Sequence, residues 1–302
     1  MYMKNITFAI LVTLWPLLRK ELVAYARDRR SQILFAASFI VAAAVAFLFY
    51  AYGSASLLRR AGRSGDAGPT LFEFLSILQI LFVAWFVPHV LARRVAYERE
   101  TGALLLLRSA LLDVRQIILT KFSAALMCGM LFISIVAPFY GLVLLLGGVD
   151  VVEIVVGLCI IISTAVLSAA VALWIAESAA SVGQAEFGTA VFAAVLTLGL
   201  PLATALGVAM TRQLFGPDVR SGSWSLFAAA IELLLGLLES IGPVTALLDG
   251  REYYAATGNL WTFQTSVFAT FAGPLLPAPF LTVAATHGAA TVILLRRMIR
   301  RR

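Results

Sequence analysis

Few residues in this chain could carry out catalysis, and they lie far apart. The 302 residues include two histidines, His89 and His287, and neither has a metal-ligand residue three or four positions further on. Cys128 and Cys159 both fall within apolar runs, where a cysteine behaves as a small hydrophobic residue. The chain has no phosphate-binding G-x-x-x-x-G-K-[ST] loop and no zinc-protease or nucleophile-elbow motif. We therefore expect no enzyme, no metal site and no cofactor bound by this chain.

The segment 98–108 has the composition of a binding surface. Glu98, Arg99 and Glu100 give it mixed charge, and Thr101 is placed to cap a short helix from Gly102 onward. That helix would present four consecutive leucines, at 104–107. An apolar helix rimmed by charges is typical of a docking site for a partner protein. A helix lying flat on lipid explains the same residues equally well.

The elements that must position this segment are membrane helices. Of all residues, 61% are hydrophobic and 13% are charged, against about 25% charged in a soluble domain. The apolar residues form blocks of about 20, the length that spans a hydrocarbon core. Since the basic residues behind the net charge of +7 cluster at the ends of these blocks, they indicate membrane orientation rather than nucleic-acid binding. The blocks predict six spans, at 32–52, 72–90, 122–146, 151–176, 190–210 and 279–295.

The distribution of Lys and Arg predicts the orientation. Seventeen of the 23 lie in the N-terminal segment, between the second and third spans, or in the C-terminal tail. The basic side of a membrane protein is cytoplasmic, so both termini are predicted there, in the inner or plasma membrane. From Trp15 onward, the N-terminal segment, 1–30, predicts an interfacial amphipathic helix with an apolar stripe and a basic opposite face. The stripe is Trp15, Leu18, Leu22 and Tyr25.

The region 211–278 contains two less apolar stretches, 224–248 and 261–276. The first carries Glu232 and Glu239, and Pro274 interrupts the second. Two glutamates in a full span are costly unless they face a cavity. We therefore expect re-entrant or interfacial helices on the outer side. If both stretches span, the count becomes eight and the termini keep their side.

Three segments together resemble the ABC-2 type permeases, the transmembrane subunits of type V ABC exporters. RKELVAYARDRR (19–30) is similar to the elbow-helix motif of that family. ERETGALLLLRSALLDVRQIILTK (98–121) resembles its coupling region, and GPVTAL (242–247) resembles its outer re-entrant segment. The resemblance implies an all-α polytopic bundle of one domain, 1–302, with six transmembrane helices, an elbow helix, outer re-entrant helices and a cytoplasmic coupling loop at 92–121.

The resemblance also implies partners and site residues. Two permease copies, or this chain and a paralogue, would lie in membrane lipid and dock on separate ABC ATPase subunits that bind ATP and magnesium. A first group of residues, with a second element at 177–188, would couple the permease to the ATPase: Glu98, Arg99, Glu100, Thr101, Gly102, Leu104, Leu105, Arg108, Glu177 and Glu186. A second group on the second and fifth spans would line the translocation path: Gln79, Phe82, Trp85, Phe86, Thr197, Pro201 and Thr204.

Alternatives remain at this level. The aromatic residues of the second span could equally face lipid or pack on neighbouring helices. A non-transporting scaffold could recruit a cytoplasmic partner through the same 92–121 loop. An ion-driven secondary transporter predicts paired acidic residues or inverted repeats near mid-membrane, and the first five predicted spans contain neither. The leading expectation is an export permease without its own ATPase, its cargo left open.

Overall fold

The protein is a bundle of long helices. The computed structural model describes residues 2–59, 67–103, 114–215, 234–235, 238, 241–258, 262–263, 276–277 and 279–300. The helices are α1 (Tyr2–Arg27), α2 (Arg29–Arg59), α3 (Ala67–Glu100), α4 (Val114–Leu146), α5 (Val151–Ser178), α6 (Val182–Ala194), α7 (Leu200–Phe215), α8 (Pro243–Thr257) and α9 (Pro279–Arg300). Two short strands, β1 (Thr262–Phe263) and β2 (Leu276–Pro277), pair antiparallel.

Five helices among the described residues are long and apolar enough to cross a bilayer. They cover Ser31–Ala51, Gly68–Glu100, Arg115–Leu146, Val151–Ser178 and Val182–Gly207. The multi-pass, helical character expected from the sequence is therefore confirmed. The sixth predicted span, 279–295, lies within α9, which is not one of the five. The threonines, His287 and terminal arginines of α9 make this helix less apolar than the five candidate spans.

Helices α3 and α5 form the centre of the bundle. In each, 56% of the apolar window is buried, against 17% in α2 and 22% in the helix that begins at Val182. A face of small residues on α5 is buried where neighbouring helices pack: Ala165, Ser168, Ala169, Ala172 and Ala176. Small side chains allow the helix axes to approach closely. The resulting van der Waals contact holds helices together in lipid, where no hydrophobic effect drives them to associate.

The segment 92–121 differs from the loop expected between the second and third spans. Helix α3 continues to Glu100 and α4 begins at Val114, so both ends of the segment are helical. Charged residues do not end a helix as Gly or Pro does. With 34 residues, α3 is about 50 Å long, whereas a hydrocarbon core is about 30 Å thick. The charged end of α3 must therefore project beyond the core.

The region 211–278 also differs in part from the expectation. Helix α7 continues to Phe215, and α8 begins at Pro243 and runs beyond residue 248. Proline suits the first turn of a helix, where its missing N–H costs no hydrogen bond. The two ends of the 261–276 stretch meet as β1 and β2, and Pro277 within β2 opposes a helix there. Glu232 and Glu239 lie outside the described residues.

The helix from Val182 to Phe215 widens in the middle. Residues Val195–Gly199 form a π-helical turn, in which the Leu200 N–H donates to the Val195 carbonyl. Pro201 explains why the π-helical turn lies here. In a regular α-helix the proline ring would clash with the carbonyl four residues earlier, that of Thr197, and the wider turn avoids this clash. Local widening of this kind is frequent at functional sites.

Candidate partner-docking site

The projecting end of α3 is bound to the link between α5 and α6. The Arg99 guanidinium donates to the carbonyls of Ala176 and Glu177, at 3.2 and 2.9 Å, and to that of Ala179. These carbonyls belong to the C-terminal end of α5 and the residue that follows it, where a helix carries partial negative charge. Arg99 therefore supplies both hydrogen-bond donors and a complementary charge to that helix end. The end of the bundle that carries Arg99 is named the Arg99 end.

Glu100 makes the matching contact to α6. Its carboxylate accepts a hydrogen bond of 2.7 Å from the Val182 backbone N–H. This is the first residue of α6, and the N-terminus of a helix favours an anion. Ser181 caps the same helix by accepting from the Gln184 N–H. Adjacent residues of α3 therefore hold both sides of the short link 179–181.

A more exposed ion pair joins the same elements one turn further along α6. Glu186 lies 3.4 Å from the Arg93 Nε and 3.9 Å from the His89 Nε2. All three side chains are between 31% and 45% exposed, so each contact contributes at most about 1 kcal/mol. The two predicted coupling elements, around Glu98 and around Glu177–Glu186, are thus in direct contact.

A buried ion cluster connects this surface to α1 and α4. The Lys121 Nζ lies 2.5 Å from a Glu98 oxygen and 3.1 Å from a Glu21 oxygen. Lys121 and Glu21 are only 5% and 7% exposed at their side chains. Arg94 adds a second cation, 3.7 Å from the other Glu21 oxygen. Two cations therefore balance two carboxylates, which buried charges require.

Tyr25 completes the packing of α1 against α3. The Arg94 guanidinium carbon lies 3.9 Å from the centre of the Tyr25 ring, a cation–π contact. Burial raises the pKa of Tyr25, although the adjacent Arg94 acts in the opposite direction. The ring is therefore neutral, and it packs with Leu18 on the side of α1 that faces the bundle.

Sequence reasoning overlooked Glu21 and assigned no contact to Lys121. Glu21 lies three residues after Leu18 and four before Tyr25, so it sits on the same helix face as these two apolar residues. An acidic residue on an apolar stripe is a signal that could have located it. Within the expected stripe, Tyr25 is buried and Trp15 is 55% exposed.

Exposed aromatic side chains were also overlooked at the Arg99 end. Tyr97 is 59% exposed on α3, and Phe187 is 72% exposed on α6. Thr101 closes α3, because its hydroxyl donates to the Tyr97 carbonyl at 2.9 Å, and Gly102 follows with a φ of 74°. The helix that Thr101 was expected to cap falls on residues 104–113, which lie outside the described residues. Leu104, Leu105 and Arg108 lie outside the described residues.

The predicted path residues fall into two groups. Gln79 is fully buried, where its amide donates to the Ile133 carbonyl at 3.1 Å and accepts from the Tyr140 hydroxyl at 2.7 Å. Phe82 and Phe86 both pack on Phe132 of α4. These three side chains hold α3 against α4, which is the packing alternative left open by the sequence.

The second group lies between α3 and the π-helical turn. The Trp85 ring is 41% exposed, and its N–H lies 3.4 Å from the Thr197 hydroxyl oxygen. Thr197 is buried and donates to the Ala193 carbonyl at 2.7 Å. Thr204 is also buried and donates to the Pro201 carbonyl at 2.9 Å. Trp85 and Thr197 are therefore the two path residues that the structure brings together across spans.

A second ion cluster lies at the opposite end of α3. Arg251 of α8 bonds to Glu73 of α3 and, at 3.0 Å, to Glu153 of α5. Glu153 is 9% exposed and also accepts from the Asp150 N–H at the start of α5. This cluster attaches α8 to the bundle. The residue pattern gave no sign of it, because its members are distant in the chain.

No protein-family model matches this chain, and no curated protein matches it. Fold and site together define a class: a multi-pass helical membrane protein in which polar contacts at one end join five helices.

Proposed function

We propose that this chain is the permease subunit of an ABC exporter, with a separate ATPase bound at the Arg99 end. The observation that carries the proposal is the contact of Arg99 and Glu100 with the two sides of the link 179–181. A partner that grips the end of α3 also grips α5 and α6. Lys121 extends the connection to α1 and α4. Force applied at one place thus reaches five helices.

The orientation supports an ATPase partner at this end. The projecting part of α3 includes Arg93, Arg94 and Arg99, and basic segments next to spans are typical of the cytoplasmic side. ATP is available only there. With α9 as a sixth span, both termini lie on this side of the inner or plasma membrane.

Tyr97 and Phe187 are the proposed anchors for the ATPase. Aromatic side chains are enriched among the residues that dominate the energy of protein interfaces, and these two are more than half exposed. Charged groups surround them and would form the polar rim of the interface. Glu98, Arg99 and Glu100 position this surface through their contacts within the chain.

Cargo is proposed to pass along the face that carries Trp85 and the π-helical turn. ATP-driven closure of the ATPase pair would shift α3 against α6 and alter the contact between Trp85 and Thr197. Such a shift biases an inward-open against an outward-open arrangement. A second copy of the chain, or a paralogue, would form the other wall.

A site-specific cross-link tests the proposal. The full chain carries a photoreactive amino acid in place of Tyr97 in native membranes. Tyr50 is the matched control, since it is a tyrosine of nearly equal exposure, 58%, towards the other end of α2. We expect an ABC-class ATPase to be cross-linked from position 97 and not from position 50. Absence of any ATPase at position 97 would contradict the proposal.

A transport assay distinguishes the proposed permease from the alternative, a non-transporting scaffold. Inverted membrane vesicles that contain the cross-linked partner should accumulate cargo only with ATP, and the Tyr97→Ala variant should lose this accumulation while Tyr50→Ala retains it. A partner that binds without any ATP-dependent transport, across a panel of lipids and drugs, would identify a scaffold.

A further inference from the structure

An apolar groove opens between α1 and α4 at the Arg99 end. Its walls are apolar side chains from three helices, and its volume is about 620 Å³. The described wall residues include Leu22 and Tyr25 of α1, Phe35 of α2, and Met127, Met130 and Leu131 of α4. Pockets that take small molecules have volumes of about 300–1,000 Å³, so the groove is large enough for a ligand.

On α4 the groove lies within the predicted third span, 122–146. The apolar run of α4 begins at Phe122, so Met127 to Leu131 lie about 8–14 Å further along the helix axis. Met127 and Leu131 are 42% and 59% exposed, so this wall is accessible from the side. Methionine side chains are flexible and adapt to irregular apolar partners. These properties suit an acyl chain.

A row of basic residues borders the same groove on α1. Arg19, Lys20 and Arg27 line a second concavity along with Trp15 and Val23. Val23 also lines the apolar groove, so the two concavities are adjacent on α1. The spacing Trp15, Arg19, Val23 and Arg27 repeats every four residues and therefore forms one exposed face of α1.

From this arrangement we infer a binding site for one anionic phospholipid, with its acyl chain in the groove and its phosphate beside Arg19, Lys20 and Arg27. Charge complementarity selects this occupant, because three cations line the concavity next to a groove whose walls are apolar. A soluble anion would leave the apolar part unfilled. A zwitterionic lipid would fill it but gain less from the cations. The inference is independent of the proposed ATPase docking, since it uses other residues.

Lipid titration of the purified full chain in neutral detergent, followed by native mass spectrometry, tests the site. The two probes, dioleoyl phosphatidylglycerol and dioleoyl phosphatidylcholine, have the same chains and differ in headgroup charge. We expect the wild-type protein to bind phosphatidylglycerol at least about ten-fold more tightly, because each nearby cation contributes about five-fold. Equal affinity for the two lipids would overturn the inference.

Charge removal locates the headgroup. The variant Arg19→Gln/Lys20→Gln/Arg27→Gln should lose the preference for phosphatidylglycerol and keep its affinity for phosphatidylcholine. The matched control is Arg296→Gln/Arg297→Gln/Arg300→Gln, which removes three exposed charges from α9 and should keep the preference. If the control loses the preference equally, general electrostatic attraction explains the binding and the site is wrong. Single variants at Arg19 and Arg27 replace the triple variant if it does not fold.

Filling the groove locates the acyl chain. Met130→Trp and Leu131→Trp should each weaken both lipids, and Leu145→Trp, at a residue that is 83% exposed near the far end of α4, should weaken neither. Unchanged lipid affinity in both groove variants would overturn the inference. So would loss of dimers in these variants without loss of lipid, because a second copy of the chain would then occupy the groove.

Discussion

Lys121 and Glu21 are separated by 100 residues in the chain and form an ion pair of 3.1 Å in the folded protein. Both side chains are more than nine-tenths buried, and Glu98 and Arg94 complete a neutral cluster. This cluster places α1, α3 and α4 in fixed positions relative to one another. The surface proposed to dock the ATPase depends on it, since Glu98 lies beside Arg99 and Glu100.

Lys121→Met should destabilise the protein strongly. The substitution leaves Glu21 and Glu98 without their shared cation, and removal of one partner of a buried pair costs about 3–5 kcal/mol. Thermal unfolding in detergent measures the loss. Arg297→Met, at an exposed residue of α9, is the control and should unfold as the wild-type protein does. Addition of Glu21→Gln to Lys121→Met should restore part of the stability, and a double variant no better than the single one would contradict the cluster.

Arg251→Met should release α8 from the bundle. Arg251 bonds to both Glu73 and Glu153, so its removal leaves two neighbouring carboxylates that repel each other. We expect faster proteolytic cleavage within residues 243–257 and a lower melting temperature. Adding Glu73→Gln should partly reverse both effects, because one charge is removed. Cleavage at the wild-type rate in Arg251→Met would show that other contacts hold α8.

His287→Leu should not lower the melting temperature. His287 is 2% exposed on α9, and neither ring nitrogen has hydrogen-bond geometry with a described residue, although the backbone of Ser163 and Ile241 lies beside the ring. A buried polar group without a partner costs about 1–3 kcal/mol, which leucine avoids. Gln79→Leu is the contrasting variant and should lower the melting temperature, because Gln79 has two partners. Lost transport in a stable His287→Leu protein would point to a proton-relay role.

Cysteine labelling should place the Arg99 end of the bundle and the link between α4 and α5 on opposite sides of the membrane. In a background without Cys128 and Cys159, Thr101→Cys should resist an impermeant thiol reagent added to intact cells, and Asp150→Cys should react. The reason is the basic excess at the Arg99 end. Both positions are exposed, so permeabilised cells provide the control in which both react. Labelling of Thr101→Cys in intact cells would remove the basis for an ATPase partner.

The positions of the first five membrane helices could be predicted from the sequence. The apolar blocks predicted five helices that the structure contains, because a span needs about 20 apolar residues whatever its neighbours are. Their ends were less predictable. Helix α3 continues through charged residues to Glu100, since charge does not break helical hydrogen bonds.

The amino-acid sequence by itself therefore determined that this is a multi-pass helical membrane protein, and it marked the segment 98–108, with its charged Glu98, Arg99 and Glu100, as a candidate docking surface. Only the tertiary structure decided which side chains complete that surface. Glu21 meets Lys121, and Arg99 meets the end of α5, because helices pack side by side over distances that sequence separation does not reveal. Composition and periodicity report the environment of a residue, whereas an ion pair requires two residues to share one location, and packing alone fixes that.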